Sequence, residues 1–183
     1  MNRESFRKKW PSAPSWLKAA LLVLAILTGA GLTLRSLPGS TVILVRHAER
    51  YHEPGDPSLT PEGAARAERL AALFGDKGGT PVARVFSSEV RRTHDTAEPL
   101  AHKLGLPVTV VPAKDMTGLL SQIRAASREG ASVVVGHSNT VPMLVSQLTK
   151  GRFSPTPDDD DFSSIFVVHV AFIGPPSVIR LHY

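Results

Sequence analysis

The sequence contains no cysteine and no internal repeat. Without cysteine the chain has no disulfide bond, no thiolate nucleophile and no zinc site built on thiolates. The missing repeat excludes a solenoid array. A length of 183 residues is instead sufficient for one domain with a sizeable hydrophobic core.

An extended basic surface is also missing, although the pI is about 9.9. Residues 1–18 hold five basic side chains and one glutamate, a net charge of +4. The rest of the chain holds 16 basic and 15 acidic residues and is nearly neutral. The sequence therefore indicates no basic surface that would bind a polyanion, and we predict no nucleic-acid partner.

The N-terminal region combines this positive charge with a charge-free run over residues 19–34, AALLVLAILTGAGLTL. Its 16 residues fall between the apolar region of a signal peptide, about 7 to 15 residues, and the roughly 20 that cross a bilayer. We therefore predict a basic cytoplasmic tail over 1–18 and a membrane anchor or signal segment, a transmembrane or signal-anchor helix, over 19–37. A small-residue cleavage motif lies near residues 28–30, but the residues after it stay apolar, which favours an uncleaved anchor.

The distribution of positive charge predicts an orientation. Basic residues stay on the cytoplasmic side of a membrane, so residues 38–183 are expected outside. In a bacterium this describes a single-pass inner-membrane protein with its domain in the periplasm. If the N-terminal segment is cleaved, the protein is periplasmic or secreted.

From residue 41 onward, short apolar runs alternate with longer helical patterns. Thr60 followed by Pro61 is typical of a helix start. The runs predict strands over 42–45, 82–86, 107–111 and 133–136, and a terminal hairpin over 165–170 and 178–181. Helices are predicted from Pro61, over 91–104 and over 116–129, and a last helix follows the fourth strand and runs past Leu144 to Leu148. Alternating elements of this kind predict an α/β fold with a mostly parallel sheet and helices on both faces.

Two of the predicted strands end in the same way. ILV is followed by Arg46 and His47, and VVV is followed by Gly136 and His137. Chemistry in open α/β sheets gathers at the carboxyl ends of the strands, so these imidazoles share one space if the strands are neighbours. An arginine from Arg91 or Arg92, after the strand that ends at Phe86, can enter the same space.

Two histidines and two arginines at strand ends describe a pocket for a dianion. The guanidinium fork matches phosphate oxygens two at a time and keeps its charge. A neutral imidazole can attack phosphorus and hold the phosphoryl group while the cations neutralise its oxygens. The protein supplies the positive charge itself, so we predict neither a metal nor another cofactor.

Four motifs, VRHAER, LTPEG, SSEVRRTHDTA and VVVGHSN, resemble the histidine phosphatase superfamily in order and spacing. The resemblance is to its phosphoglycerate mutase-like branch and to short phosphohistidine-phosphatase-like members. It implies a phosphoglycerate mutase-like fold over residues 38–183, with His47 as the nucleophile, Arg46 and Arg92 as phosphate ligands and His137 as the second catalytic histidine. The S-x-x-x-R-x-x-x-T-A spacing that begins at Ser88 selects Arg92 over Arg91.

The acid that protonates the leaving group stays open between Asp115 and Glu49. Asp115 lies where the resemblance places a carboxylate, but it can equally cap the helix at Met116. We also expect Ser88 and Asn139 to border the phosphate.

Predicted substrates are phosphomonoesters: a phosphorylated small molecule, or an envelope glycolipid or sugar phosphate. Two alternatives stay open beside this enzyme. One is a membrane-tethered protein that binds a phosphorylated ligand with little or no catalysis. The other is a serine esterase, because Gly136 to Thr140 (GHSNT) approaches the G-x-S-x-G nucleophile motif at Ser138, although the final glycine is missing.

Overall fold

The computed structural model describes residues 14–35, 39–76, 81–127, 129–156 and 158–183, in two units, Met1–Leu37 and Pro38–Tyr183. In the first unit, helix α1 spans Ser15–Arg35. No helix within the described ranges is both long and apolar enough to cross a bilayer, so the predicted transmembrane helix is not supported. The charge-free run, 16 residues, extends about 24 Å as a helix, against about 30 Å of hydrocarbon. Most of the basic tail, 1–13, and the junction 36–38 lie outside the described residues.

The second unit is built on one six-stranded sheet with strand order β3-β2-β4-β1-β5-β6. The β3-β2, β2-β4 and β4-β1 pairs are parallel, whereas β5 runs antiparallel to both β1 and β6. The predicted mostly parallel sheet and its terminal hairpin at one edge are confirmed. The strands are β1 (Ser40–Arg46), β2 (Val82–Ser87), β3 (Val108–Val110), β4 (Ala131–Gly136), β5 (Ser164–Val170) and β6 (Ser177–His182).

The described residues of this unit also form four helices: α2 (Pro61–Phe74), α3 (Arg91–Leu104), α4 (Met116–Ala126) and α5 (Thr140–Leu148). The predicted start of α2 is confirmed, since Thr60 Oγ1 accepts the Gly63 N–H at 3.1 Å and Pro61 follows it. Gly63 is needed there because a Cβ would overlap the Glu49 carbonyl. Helix α4 ends three residues earlier than predicted, with Ser127 as its C-cap.

The helices cover both faces of the sheet, which explains why β1 is apolar at every position from Val42 to Val45. Its alternating side chains enter two separate cores. Val42 and Leu44 pack with residues of α4 and α5, whereas Ile43 and Val45 pack with residues of α2 and α3. Burial on both sides leaves the strand ends as the place where polar groups can meet solvent.

Candidate active site

The carboxyl ends of β1 and β4 lie side by side and carry two histidines into one cleft. Arg46 pairs with Gly136 in the parallel ladder, so the predicted adjacency of the two strands is confirmed. The next residues, His47 and His137, leave the sheet together, and the His47 N–H donates to the Gly136 carbonyl at 2.9 Å. Their ring centroids are 5.5 Å apart, with the ring planes at 66°.

Close approach of helix α5 requires glycine at the end of β4. A Cβ on Gly136 would lie 2.9 Å from Thr140 Oγ1 and 3.1 Å from Val141 Cγ2, tighter than ordinary contact. The same Thr140 hydroxyl accepts the His137 N–H at 2.9 Å. The backbone of His137 is therefore held by the first turn of α5.

The ring of His47 is only 4% exposed and has a defined proton position. Its Nδ1 lies 2.8 Å from the Ala48 carbonyl oxygen. A carbonyl can only accept, so Nδ1 carries the proton of the neutral ring and Nε2 carries the lone pair. Nε2 makes no hydrogen bond within the described part of the chain. The Ala48 N–H donates to Thr96 Oγ1 at 3.0 Å, which ties this turn to helix α3.

Burial and neighbouring charges keep both imidazoles neutral. Burial, reinforced by Arg46, Arg92 and His137, lowers the pKa of His47 to about 4, although the Ala48 carbonyl bond opposes the change. Burial and the Arg92 guanidinium also lower the pKa of His137. A neutral His47 keeps the Nε2 lone pair that nucleophilic attack needs.

Both arginines hold a buried donor without an acceptor. Among the described residues, Nε of Arg46 and Nε of Arg92 are buried and have no hydrogen-bond partner. Leaving such a group unpaired costs roughly 1–3 kcal/mol. Both arginines line the same cleft as His47 and His137. A tetrahedral oxyanion in this cleft would accept hydrogen bonds from these N–H groups, since its oxygens match the spacing of the guanidinium donors.

Arg46 is positioned by the loop that precedes β5. Its Nη1 donates to the Asp158 carbonyl at 3.3 Å and to the Asp159 carbonyl, and its Cζ lies 4.0 Å from the centroid of the Phe162 ring. The Phe162 ring also meets the His47 ring edge-on, with centroids 6.0 Å apart. In the sequence, the feature that could have indicated this contact with Arg46 is Phe162, an isolated aromatic residue at the end of an acidic run.

Arg92, rather than Arg91, belongs to the cleft. Its Nη2 lies 3.4 Å from His137 Nδ1, and its Nη1 lies 3.8 Å from the Asp56 carboxylate. Arg91 is 60% exposed and pairs instead with Asp95, one helical turn away. The Asp56 carboxylate, which the sequence analysis missed, also accepts the Arg91 backbone N–H at 2.8 Å and so anchors the start of α3.

The cleft has a volume of about 1000 Å³, and more basic than acidic side chains line it. Arg50 and Lys114 line it in addition to the two arginines described above, and Asn139 lines it too. This volume exceeds that of a phosphate ion. The site can therefore hold an anionic group together with an organic substituent.

The two carboxylates considered as general acids are both engaged elsewhere. Asp115 does not line the cleft; its side chain accepts the Gly118 N–H at 2.8 Å and caps α4. Glu49 lines the cleft but makes a two-pronged contact with Arg66, with distances of 2.6 and 2.9 Å. Burial acts to raise the pKa of Glu49, but the hydrogen bonds and charge of Arg66 lower it more. In the structure, therefore, Asp115 caps a helix and Glu49 is paired with Arg66.

Ser88 lies beside His137 and not on the cleft surface. It is 5% exposed, and its Oγ is 3.0 Å from His137 Nε2 and 2.8 Å from Thr93 Oγ1. Ser88 therefore contacts the second histidine, and its expected contact with phosphate stays a prediction.

The serine esterase alternative requires an imidazole hydrogen-bonded to Ser138. Ser138 lines the cleft but makes no hydrogen bond to a histidine among the described residues. The two histidines that follow it in the chain bond elsewhere: His169 Nδ1 lies 3.1 Å from Thr41 Oγ1, and His182 Nδ1 lies 3.1 Å from Ser163 Oγ. The nucleophile and base arrangement of an esterase is not formed.

Sequence comparison identifies two relationships. Residues 42–114 match the model of the histidine phosphatase superfamily (branch 1). A segment of 101 residues, 54% of this chain, is 34% identical to the PE-PGRS family protein PE_PGRS11 of Mycobacterium tuberculosis. The matched segment covers only 16% of that much longer relative.

Comparison with solved structures identifies the same fold in several phosphatases. The structure of the protein histidine phosphatase SixA complexed with tungstate aligns with a TM-score of 0.63 at 23% identity, covering 78% of this chain and 96% of that one. A mycobacterial glucosyl-3-phosphoglycerate phosphatase aligns with a TM-score of 0.59 at 16% identity, covering 79% and 98%. At these identities the likeness establishes the fold.

Proposed function

We propose that the chain is a member of the histidine phosphatase superfamily, whose model matches residues 42–114, and that it is a phosphatase that hydrolyses phosphomonoesters through a phosphohistidine on His47. In this proposal Arg46, Arg92 and His137 surround the transferred phosphoryl group. Their positive charge and hydrogen bonds replace the charge neutralisation that other phosphatases obtain from metal ions.

One observation carries the proposal: two buried arginine N–H groups without acceptors occur beside a neutral, buried imidazole. The first feature is suited to a tetrahedral dianion, and the second to nucleophilic attack on it. A site that served only to bind an anion would gain from a charged imidazole, whereas here burial disfavours the charge.

The reaction proceeds in two balanced steps. His47 Nε2 attacks phosphorus, a P–N bond forms, and the ester P–O bond breaks as the leaving oxygen takes up a proton from solvent water. Water then attacks phosphorus and loses a proton, the P–N bond breaks, and inorganic phosphate leaves with His47 neutral again. The arginines remain charged throughout and stabilise the charge on the equatorial oxygens in both steps.

The proposed substrate is a phosphorylated small molecule, including sugar phosphates and the head groups of envelope glycolipids. The cleft volume of about 1000 Å³ supports a substrate with a bulky organic part. One similar structure is that of a glucosyl-3-phosphoglycerate phosphatase, which by its name acts on a phosphorylated sugar derivative.

The location of the protein is a separate proposal. The net charge of +4 over residues 1–18, followed by the charge-free run 19–34, supports targeting to the bacterial inner membrane with the catalytic domain on the periplasmic side. Fractionation of cells that express the full chain, followed by protease treatment of spheroplasts, tests this. Recovery of an intact domain that resists external protease would contradict it.

The enzymatic proposal is tested by trapping the intermediate. The full chain is incubated with ³²P-labelled sugar phosphates, quenched in base, and examined for bound label. We expect a base-stable, acid-labile phosphoenzyme that is lost in His47→Ala and retained in Ser138→Ala. Turnover without label at His47 would refute the covalent mechanism, and tight ligand binding without turnover would favour the binding protein.

A further inference from the structure

Both ring nitrogens of His137 have partners in the protein. Nδ1 lies 3.4 Å from Arg92 Nη2, and Nε2 lies 3.0 Å from Ser88 Oγ. A guanidinium can only donate, so Nδ1 is the acceptor and the single proton of the neutral ring is on Nε2. The Nε2–H of His137 therefore donates to the Ser88 hydroxyl.

The direction of this hydrogen bond is fixed by a second hydroxyl. Ser88 Oγ lies 2.8 Å from Thr93 Oγ1, and Thr93 Oγ1 donates to the Val90 carbonyl at 2.6 Å. That bond uses the hydroxyl proton of Thr93, so Ser88 donates to Thr93 and accepts from His137. Ser88 and Thr93 are 5% and 0% exposed, so water does not compete for these positions.

We propose that Ser88, held by Thr93, is a positioning residue that makes binding of a phosphate dianion depend on the uptake of one proton by His137. With its Nε2–H committed to Ser88, a neutral His137 presents only the Nδ1 lone pair to an anion bound by Arg92. Nδ1 gains a proton when the dianion binds and then donates to it. The inference rests on the proposed function, because it requires the phosphate group to lie in this cleft.

The charged groups around His137 explain why the proton enters with the ligand. In the empty cleft Arg92 and Arg46 disfavour a charged ring, burial does the same, and Glu89 alone favours it. The other neighbour is the neutral ring of His47, 5.5 Å away. A bound dianion offsets the positive charge of the two guanidiniums and accepts a hydrogen bond from Nδ1–H. The charged form of His137 is then favoured over the neutral form.

Tungstate is a suitable probe because it is a tetrahedral dianion that does not titrate near neutral pH. Its binding to the full chain is measured by calorimetry at pH 7.5 in buffers with different ionisation enthalpies, which gives the number of protons taken up. We expect about one proton per site and an affinity that falls up to about tenfold per pH unit above neutrality. The measurement is repeated in His47→Ala, where His137 is the remaining imidazole of the pair.

Variants at Ser88 separate positioning from a merely structural role. In Ser88→Ala the Nε2–H loses its acceptor, the proton can move to Nδ1, and a neutral ring can donate to tungstate. We expect proton uptake to fall toward zero and the pH dependence of affinity to flatten. Ser88→Thr keeps the hydroxyl and should restore uptake. The matched control is Ser146→Ala, which removes an exposed hydroxyl pair with Ser154 and should behave as the wild type.

The measured proton uptake and tungstate binding either support the inference or overturn it. Full proton uptake in Ser88→Ala, or tungstate binding by the wild type without uptake, overturns the inference and leaves the phosphate site intact. A wild type that does not bind tungstate overturns the proposed function and this inference together. If Ser88→Ala does not fold, two-bond ¹H–¹⁵N spectra of the wild type give the answer: a proton on Nδ1 of His137 before tungstate is added would refute the assignment.

Discussion

Acidification is expected to destabilise the protein through His47. An imidazole in the unfolded chain titrates near 6.5, whereas burial lowers the pKa of folded His47 to about 4. Between these values the unfolded state binds a proton that the folded state does not. The stability is therefore complete above about pH 6.5 and is lost as the pH falls toward 4. At about 1.4 kcal/mol per pH unit, the loss reaches about 2 kcal/mol at pH 5 and about 3 kcal/mol at pH 4.

The assay is urea unfolding of the full chain at pH 8 and at pH 5. The perturbation is His47→Asn, which keeps an N–H near the Ala48 carbonyl but does not titrate. We expect the wild type to lose about 2 kcal/mol more than this variant between the two pH values. His102→Asn, at an exposed position on α3, is the control and should follow the wild type. Equal losses in wild type and His47→Asn would refute the assignment of a neutral, buried His47.

Three further changes test individual contacts. Asp115→Ala removes the cap of α4 and should lower the free energy of unfolding by about 1 kcal/mol with kcat unchanged; a hundredfold loss of kcat would instead identify it as the general acid. Phe162→Leu removes a cation–π contact with Arg46 worth about 1 kcal/mol, so KM for a phosphomonoester should rise about fivefold, and an unchanged KM would contradict the positioning role. Arg66→Met leaves the Glu49 carboxylate unpaired and should cost about 2 kcal/mol in urea unfolding. The added change Glu49→Gln should recover part of that loss, and no recovery would argue against the pair.

Much of the fold could be predicted because its signals are local. A strand buried on both faces must be apolar at every position, and residues 42–45 and 133–136 are. Thr60 and Pro61 specify a helix start by chemistry that acts within one turn. The end of α4 differs from prediction by three residues and each end of β3 by one, because helix ends and short edge strands depend on neighbours as well as on the residues themselves.

The N-terminal segment shows the limit of composition alone. Its charge-free run lies between the lengths of two known classes of segment, and the described helix does not reach the requirement for a bilayer span. Local hydrophobicity indicates that a helix forms there, and α1 is present. What the helix contacts is not encoded in its periodicity.

The part of the candidate site that lies at the ends of strands could be predicted from the sequence. Arg46, His47 and His137 leave buried strands whose adjacency follows from parallel packing, so their meeting is a consequence of the sheet. The roles of Asp115 and Glu49 were left open, since each choice depends on a partner elsewhere: a backbone N–H at Gly118 in one case, and Arg66 in the other.

By itself, therefore, the sequence determined the alternation of strands and helices and the positions of two histidines and an arginine at the ends of buried strands. Only the tertiary structure decided the proton positions on the two imidazoles, the loop contacts that hold Arg46, and the engagement of both candidate acids. The physical reason is distance: hydrophobic periodicity acts between residues a few positions apart, whereas hydrogen bonds such as Ser88 to His137 join groups that come together only after the sheet has formed.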